Sequence, residues 1–408
     1  MSVSHAESPG ADISPEQRRA LIAIGSAELL ALSLWFSATA VAPQLDEAWQ
    51  LTEAASSWLT LAVQLGFVVG AFAGAVTGVA DAISSRYLFA ATALAGALLN
   101  ATLVVLEPDH VAIAIALRFG TGLALAGVYP SGLKVMSGWF TAARGMALGV
   151  LVGALVVGSA LPHLVRATGL AWQGVILAAS ALATIAAVIV VRFVGDGPHE
   201  VAPSPFSWGQ IGTVVRSPGF RLSTVGYLGH MWELYAMWAW TGAFLLASAQ
   251  SGGYSTDWVP LATFATIAVG GIGAWRAGVA ADRIGRERVA SMSLVASGSV
   301  AIVTPLVFGW HPVPLVVVFL FWGYAVVADS AQFSALVTET TSATHRGTAL
   351  TLQTALGFLL TLVTIRGVPL IADAIGWRWS FLWLALGPVV GIVAMQRLSA
   401  SRHAATAV

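Results

Sequence analysis

The sequence predicts an all-α integral membrane protein, in which twelve transmembrane helices form two pseudo-symmetric six-helix bundles. Of its 408 residues, 57% are hydrophobic and only 9% are charged, whereas a soluble domain is nearer a quarter charged. The pattern Arg-Gly-x-Ala-Leu occurs at residues 144–148 and again at 346–350, and residues 78–81 have a counterpart at 278–282. The composition predicts lipid as the main solvent, and the repeats predict two related halves.

Twelve segments are long and apolar enough to cross a bilayer, which takes about 20 helical residues. Glycine and proline are frequent inside them, as expected where membrane helices pack closely or bend. The predicted spans are 20–43, 56–80, 86–106, 111–133, 145–166, 171–193, 220–247, 258–280, 287–308, 313–337, 347–371 and 377–396.

These spans divide the chain into two bundles with short polar segments around them. The long segment between the sixth and seventh spans holds four prolines, and within it residues 206–215 could form a short interfacial helix. The expected parts are a cytosolic disordered tail (1–19), an N-terminal bundle (20–194), a cytosolic linker (195–219), a C-terminal bundle (220–396) and a cytosolic tail (397–408).

The arginines predict the orientation, because basic residues favour cytosolic loops. With the N-terminus in the cytosol, thirteen arginines fall at cytosolic ends and only Arg166 and Arg378 at the opposite face. That opposite face instead carries acidic residues such as Asp46 and Glu107. An even number of crossings returns the C-terminus to the cytosol. We therefore expect a multi-pass protein of the cytoplasmic (inner) membrane with both termini cytosolic.

Several functional classes are disfavoured by what the sequence lacks. It contains no cysteine and has a net charge of +0, so neither a thiolate metal site nor nucleic acid binding is expected. The eight histidines are scattered without a zinc-protease spacing, and there is no phosphate-binding loop of the Gly-x-x-x-x-Gly-Lys type. We expect no cofactor, no metal and no enzyme. Because twelve helices can complete a bundle, a monomer is the expected state.

One loop carries the most specific motif of the chain. In residues 278–288, Gly278 is followed by Asp282, Arg283, Gly285 and Arg286. This run resembles the cytosolic loop signature of the major facilitator superfamily of secondary transporters. The resemblance implies the fold of that family and a cytosolic gate, in which the glycine lets two helices approach and the aspartate pairs with an arginine or caps a helix.

The first half holds a degraded copy of this loop. It keeps Asp81 and Arg86 but lacks the arginine and glycine that normally follow the aspartate. The loop arginines Arg144 and Arg346, at the starts of the fifth and eleventh spans, are expected to stabilise the same cytosolic contacts. Weaker resemblances lie at residues 118–122, at 376–381, and in the glycines of the fifth span, where the Gly-Pro dipeptide of the antiporter branch is missing.

Ionisable residues inside predicted spans are candidates for proton coupling, since a charge in hydrocarbon is costly and a carboxyl group there can bind a proton reversibly. Glu233 ranks first, with His230 on the same helix face at i, i+3 spacing. Glu28, whose counterpart in the second half is His230, and then Asp329 follow. For each of them, a structural hydrogen bond or ion pair between helices is the alternative.

The candidates for substrate binding are one arginine and several polar-tipped side chains. Arg118 could bind an anionic group in a bidentate way, pair with a carboxylate, or be a helix-packing arginine. Aromatic walls with one arginine suit a small organic anion with an apolar body. The set is Arg118, Trp35, Tyr129, Tyr235, Trp238 and Gln332.

Repeated membrane bundles favour secondary active transport by alternating access, because two similar halves can rock about a site held between them. The expected partners are a small-molecule substrate, protons and the lipid bilayer. Proton-coupled symport of a small organic anion is the first choice. A proton-driven antiporter that exports lipophilic drugs and an inorganic anion (nitrate-type) transporter remain open; the latter would favour an arginine from each half, and Arg118 has no counterpart near Leu320.

Overall fold

The computed structural model describes residues 13–140, 144–195, 197–199 and 206–406, and this part of the chain is helical with no β-strand. The first half supplies six long helices that correspond in order to the first six predicted spans. They are α1 (Pro15–Leu32), α2 (Glu53–Thr77), α3 (Ser85–Thr102), α4 (Val111–Trp139), α5 (Arg144–Arg166) and α6 (Trp172–Phe193).

The second half repeats this order, with breaks in its second and fourth helices. Short 3₁₀ turns, Trp377–Trp379 and Leu382–Ala385, precede the last helix. The helices are α7 (Pro218–Ser251), α8 (Val259–Ala268 and Gly270–Ile284), α9 (Arg286–Val307), α10 (Pro312–Ala328 and Ser330–Thr340), α11 (Arg346–Ile375) and α12 (Leu386–Thr406).

Ten helical spans in the described part are long and apolar enough to cross a membrane, and the helices that miss this standard are α1 and α7. These two hold equivalent places in the halves and carry the ionisable residues Glu28, His230 and Glu233. All three side chains are buried. The ionisable side chains of α1 and α7 thus face the interior of the protein instead of lipid. The twelve-helix arrangement predicted from the sequence is confirmed.

The first predicted span differs from the structure in its shape. Helix α1 begins at Pro15, where Ser14 and Gln17 form a reciprocal capping box, and it ends at Leu32 instead of continuing to residue 43. Two short helices, Ser37–Ala40 and Ala42–Trp49, follow the break. Irregular backbone is tolerated at membrane depth only where protein groups satisfy it, and the site described below supplies them.

The two halves share an equivalent glycine contact between their second and fourth helices. Gly122 on α4 packs against the carbonyl of Val63 on α2, and Gly323 on α10 packs in the same way against the carbonyl of Thr266 on α8. In both places a Cβ atom would overlap the facing backbone. The same helix pair of each half therefore crosses at a glycine, as is common for membrane helices.

Two helix pairs join the halves: α5 packs along both segments of α8, and α2 packs against α11. Between these seams, buried residues from both halves form one continuous apolar cluster. Its members include Phe67 on α2 and Phe358 on α11, whose rings lie 4.7 Å apart. The interior of the protein is therefore closed at this level.

The described part of the linker lies across the α2–α11 seam. Phe206 and Trp208 pack edge-on against Phe72 of α2, with ring centroids 5.4 and 5.7 Å from it. On the other side, the Ser207 backbone N–H donates to Oγ1 of the buried Thr348 on α11 at 2.9 Å. A turn and a short helix, Ile211–Arg216, then lead to α7. This segment, residues 206–216, is called the linker strap below.

Candidate functional site

Glu28 is the least satisfied ionisable side chain in the core. It lies on α1, is 0% exposed, and neither of its carboxylate oxygens has a hydrogen-bond partner in the described part of the chain. It faces Gly132 on α4, where a Cβ atom would meet Oε2, and Tyr129 is near enough to interact with it electrostatically. An ionised carboxylate in such surroundings is costly, so this place suits a carboxyl group that exchanges a proton or a cation.

Four aromatic side chains meet on the axis between the halves, two from each half. The central aromatic cluster consists of Trp35 just after the end of α1, Phe67 on α2, Tyr235 on α7 and Phe358 on α11. Ring centroids lie 4.8 Å apart for Trp35 and Phe67, 5.7 Å for Trp35 and Tyr235, and 5.1 Å for Tyr235 and Phe358. Contacts of this length leave no aqueous path between the rings, so the cluster blocks the axis in this conformation.

Buried polar atoms without partners lie beside this cluster. The indole Nε1 atoms of Trp35 and Trp238 have no acceptor among the described residues, and the amide of Gln64 has no partner on either of its terminal atoms. Gln64 is one turn from Phe67 on α2, and Trp238 packs at 6.2 Å against Phe36. Buried polar groups are normally hydrogen-bonded, so their gathering here is typical of a ligand site.

Arg118, in contrast, is fully engaged by neutral acceptors. It is 0% exposed, and Nη2 donates to the Trp35 carbonyl at 2.6 Å, while Nη1 donates to the Leu34 carbonyl at 3.1 Å. Nη1 also reaches the side chains of Ser37 and Asn100, at 3.1 and 2.9 Å. Because Leu34 and Trp35 lie in the break after α1, the guanidinium satisfies the backbone that leaves the helix.

His230 and Asp329 form a buried pair between α7 and the break of α10. His230 Nδ1 lies 2.8 Å from Asp329 Oδ1, and Nε2 lies 2.9 Å from Oγ of Ser330. Gln332, one turn further, is 1% exposed and accepts from Arg286 at 3.2 Å. Gln332 therefore belongs to the end of the C-terminal half that carries the motif of residues 278–288, and it is not part of the central aromatic cluster.

Glu233 has a donor for each carboxylate oxygen. Ser297 on α9 donates to Oε2 at 2.8 Å, and the Trp322 indole on α10 donates to Oε1 at 2.6 Å. The side chain is 1% exposed. Although Glu233 and His230 are on one helix, they bind different partners, and Glu233 links three helices of the C-terminal half.

The motif of residues 278–288 forms ion pairs within the C-terminal half. Arg286 Nε donates to Glu339 at 2.6 Å, and its Nη2 lies 3.8 Å from Asp282. Arg402 at the end of α12 contacts both Glu287 and Glu339, at 2.7 and 3.2 Å. These contacts hold the neighbouring ends of α8, α9, α10 and α12 together.

The glycines and remaining arginines of the motif have separate places. Gly285 has a φ of 91°, which favours glycine, whereas a Cβ atom at Gly278 would meet nothing within 4 Å. Gly278 therefore does not mark a place where two helices approach closely, contrary to the expectation from the sequence. Arg283 is exposed, and Arg346 donates to the Thr338 carbonyl at 3.1 Å.

In the first half, Arg86 donates to the Val194 carbonyl at the end of α6, at 3.4 Å. The side chains of Asp81 and Arg144 lie outside the described residues.

Sequence reasoning had missed most of the partners in these sites. Asn100 and Ser37, which bind Arg118, and Ser297, which binds Glu233, are small polar residues in otherwise apolar spans. Phe67 and Phe358 complete the aromatic cluster. The polar residues could have been singled out as rare hydrogen-bonding groups in hydrocarbon, but phenylalanines are common in every membrane helix.

A family model described as Major Facilitator Superfamily matches residues 24–277, which is more than half of the chain. The chain therefore belongs to the Major Facilitator Superfamily and is a multi-pass membrane transporter rather than an enzyme. No curated protein matches the sequence.

Solved structures with a similar fold are themselves transporters. A bacterial homologue of the human lysosomal transporter Spinster, in an inward-facing and occupied conformation, has a TM-score of 0.70 at 14% identity, covering 95% of this chain and 98% of its own. A mutant of the nucleoside transporter NupG has a TM-score of 0.68 at 14% identity, covering 93% and 99%. At such low identity the likeness establishes the fold alone.

Proposed function

We propose that this transporter exchanges protons for a lipophilic organic cation across the cytoplasmic membrane, as a monomer with both termini in the cytosol. The observation that carries the proposal is Glu28, a fully buried carboxyl group with no hydrogen-bond partner among the described residues. The central aromatic cluster begins at Trp35, just beyond the end of the helix that carries Glu28. A carboxylate near aromatic faces is the chemistry that binds an apolar cation.

The exchange follows from competition for one carboxyl group. In the closed conformation Glu28 holds a proton, because an ionised carboxylate that is buried without a hydrogen-bond donor among the described residues is costly. Opening towards the acidic side lets substrate leave and a proton bind. Opening towards the cytosol releases the proton, and the carboxylate then attracts a cation whose apolar body packs on Trp35 and Tyr235. Since Glu28 holds either a proton or the cation, the two are coupled in opposite directions.

The geometry of Arg118 disfavours symport of an organic anion, which was the first choice from the sequence. An anion would have to displace the carbonyls of Leu34 and Trp35 from the guanidinium. It would also lie in the same half as the carboxyl group of Glu28. A nitrate-type transporter meets the same difficulty.

Proteoliposomes with an acidic interior and an enclosed pH-sensitive dye test the proposal. Potassium and valinomycin clamp the membrane potential, and protein-free liposomes give the baseline. Added tetraphenylphosphonium should raise the internal pH in the wild type and in Glu16→Gln, an exposed glutamate of the same helix, but not in Glu28→Gln. If short carboxylates drive protein-dependent proton entry and the cation has no effect, the transporter is an anion symporter.

A further inference from the structure

A lipid-facing groove of about 320 Å³ lies between α5 and α8, at one of the two seams between the halves. Its floor is formed where Gly153 and Gly271 face each other, with a Cβ built on Gly271 only 3.5 Å from the Gly153 Cα. Its α8 rim is formed by Ile272 and Trp275, whose side chains are 52% and 53% exposed. All the lining residues are apolar or glycine. Such a surface on a membrane-spanning helix pair fits a hydrocarbon chain.

The groove lies in the cytosolic leaflet if both termini are cytosolic. Gly149, at one end of it, is five residues beyond Arg144, and Trp275 is nine residues before Ile284. At 1.5 Å per residue these positions are about 8 and 14 Å from the cytosolic helix ends. This depth matches the acyl region of the inner leaflet.

An exposed arginine lies beside the groove at its own depth, since Arg276 is eight residues before Ile284, about 12 Å from that helix end. Arg276 follows Ile272 by four residues, so it lies on the same face of α8 one turn nearer the cytosol. It is exposed, and no hydrogen bond or ion pair joins it to any residue that the structure describes. A guanidinium on a lipid-facing helix is costly unless it reaches the headgroup region. Because the position lies in the acyl region, the long side chain must extend towards the interface, where a lipid phosphate is the nearest acceptor.

We propose that the groove is a binding site for one anionic phospholipid of the cytosolic leaflet. An acyl chain lies over the glycines of α5 and α8, and the phosphate headgroup pairs with Arg276. The bound lipid touches both halves at a seam that must move when they rock, so anionic lipid content sets how readily the transporter opens. This site is separate from Glu28, and its test does not depend on which substrate is carried.

Native mass spectrometry can compare phosphatidylglycerol with phosphatidylcholine of the same acyl chains, measured as the binding constant of the first lipid adduct. The wild type should prefer phosphatidylglycerol. Arg276→Gln should weaken its binding about fivefold, the contribution expected of one basic residue near anionic lipid, with phosphatidylcholine unchanged, and Arg276→Lys should restore it.

Filling the groove tests the acyl-chain part of the site. A Cβ atom at Gly149 meets nothing within 4 Å, so Gly149→Leu should fold normally and weaken the binding of both lipids. Gly278→Leu, which also points into open space on α8 but outside the groove, is the matched control and should bind like the wild type. Equal affinity of the wild type for both lipids, or unchanged lipid binding in Arg276→Gln or Gly149→Leu, would overturn the proposal.

Discussion

The imidazole Nδ1 atom of His230 lies 2.8 Å from the Oδ1 atom of Asp329, and both side chains are about 2% exposed. Asp329 is the residue at which α10 breaks, between Ala328 and Ser330. The pair therefore joins the middle of α7 to the break in α10, and each buried side chain has the other as a close polar neighbour.

A double-mutant cycle measures this dependence. His230→Asn and Asp329→Asn should each destabilise the protein, and the double variant should be more stable than the sum predicts by about 1–3 kcal/mol, the usual size for a contacting pair. Thermal unfolding in detergent at one pH provides the free energies. Strictly additive losses would mean that the two side chains do not interact.

Arg118→Lys should destabilise the protein even without substrate. The three N–H donors of lysine radiate from a single nitrogen, whereas the three nitrogens of the guanidinium reach the separate carbonyls of Leu34, Trp35 and Leu59. We expect a loss of about 2–5 kcal/mol from orphaned buried acceptors, seen as a lower unfolding temperature. An Arg118→Lys variant that unfolds like the wild type but has a raised KM for an anion would instead identify Arg118 as a substrate anchor.

Alanine should have opposite effects on stability at glycines where two helices cross and at a glycine that faces open space. Gly122→Ala and Gly323→Ala force a methyl group against a facing backbone and should each cost about 1–3 kcal/mol. Gly278→Ala meets only open space and should be neutral or stabilising by up to about 1 kcal/mol, since glycine is a poor helix former. Thermal unfolding of the three variants measures these changes in stability. Equal effects at all three positions would show that the helix crossings can accommodate a methyl group.

The linker strap should detach when its aromatic anchor is removed. Phe72→Ala deletes the ring against which Phe206 and Trp208 pack, so trypsin should cut faster after Arg216, an exposed arginine at the end of the strap. Mass spectrometry of the fragments locates the cut. Val69→Ala, a lipid-exposed position on the same helix, is the control, and equal cleavage in both variants would refute the strap.

The number and order of the helices followed from apolar runs in the sequence, because a membrane span must satisfy its own backbone. The runs are weakest in α1 and α7, which hold the ionisable residues Glu28, His230 and Glu233. The break after Leu32 did not follow from such runs, since it is stabilised by Arg118, which is far away in the sequence. Likewise, i, i+3 spacing placed His230 and Glu233 on one face of α7 but said nothing of their partners on α9 and α10. Contacts between helices depend on rotation about each axis, and a single sequence constrains that only loosely.

The central claim, that Glu28 holds either a proton or a cation, is tested most directly by counting protons released on binding. Calorimetric titration of the detergent-solubilised protein with tetraphenylphosphonium, repeated in buffers of different ionisation enthalpy, gives this number. The account predicts that the wild type and Glu16→Gln release about one proton per cation when Glu28 is protonated at the start, and that Glu28→Gln releases none. Binding without proton release in the wild type, or equal release in Glu28→Gln, would contradict it.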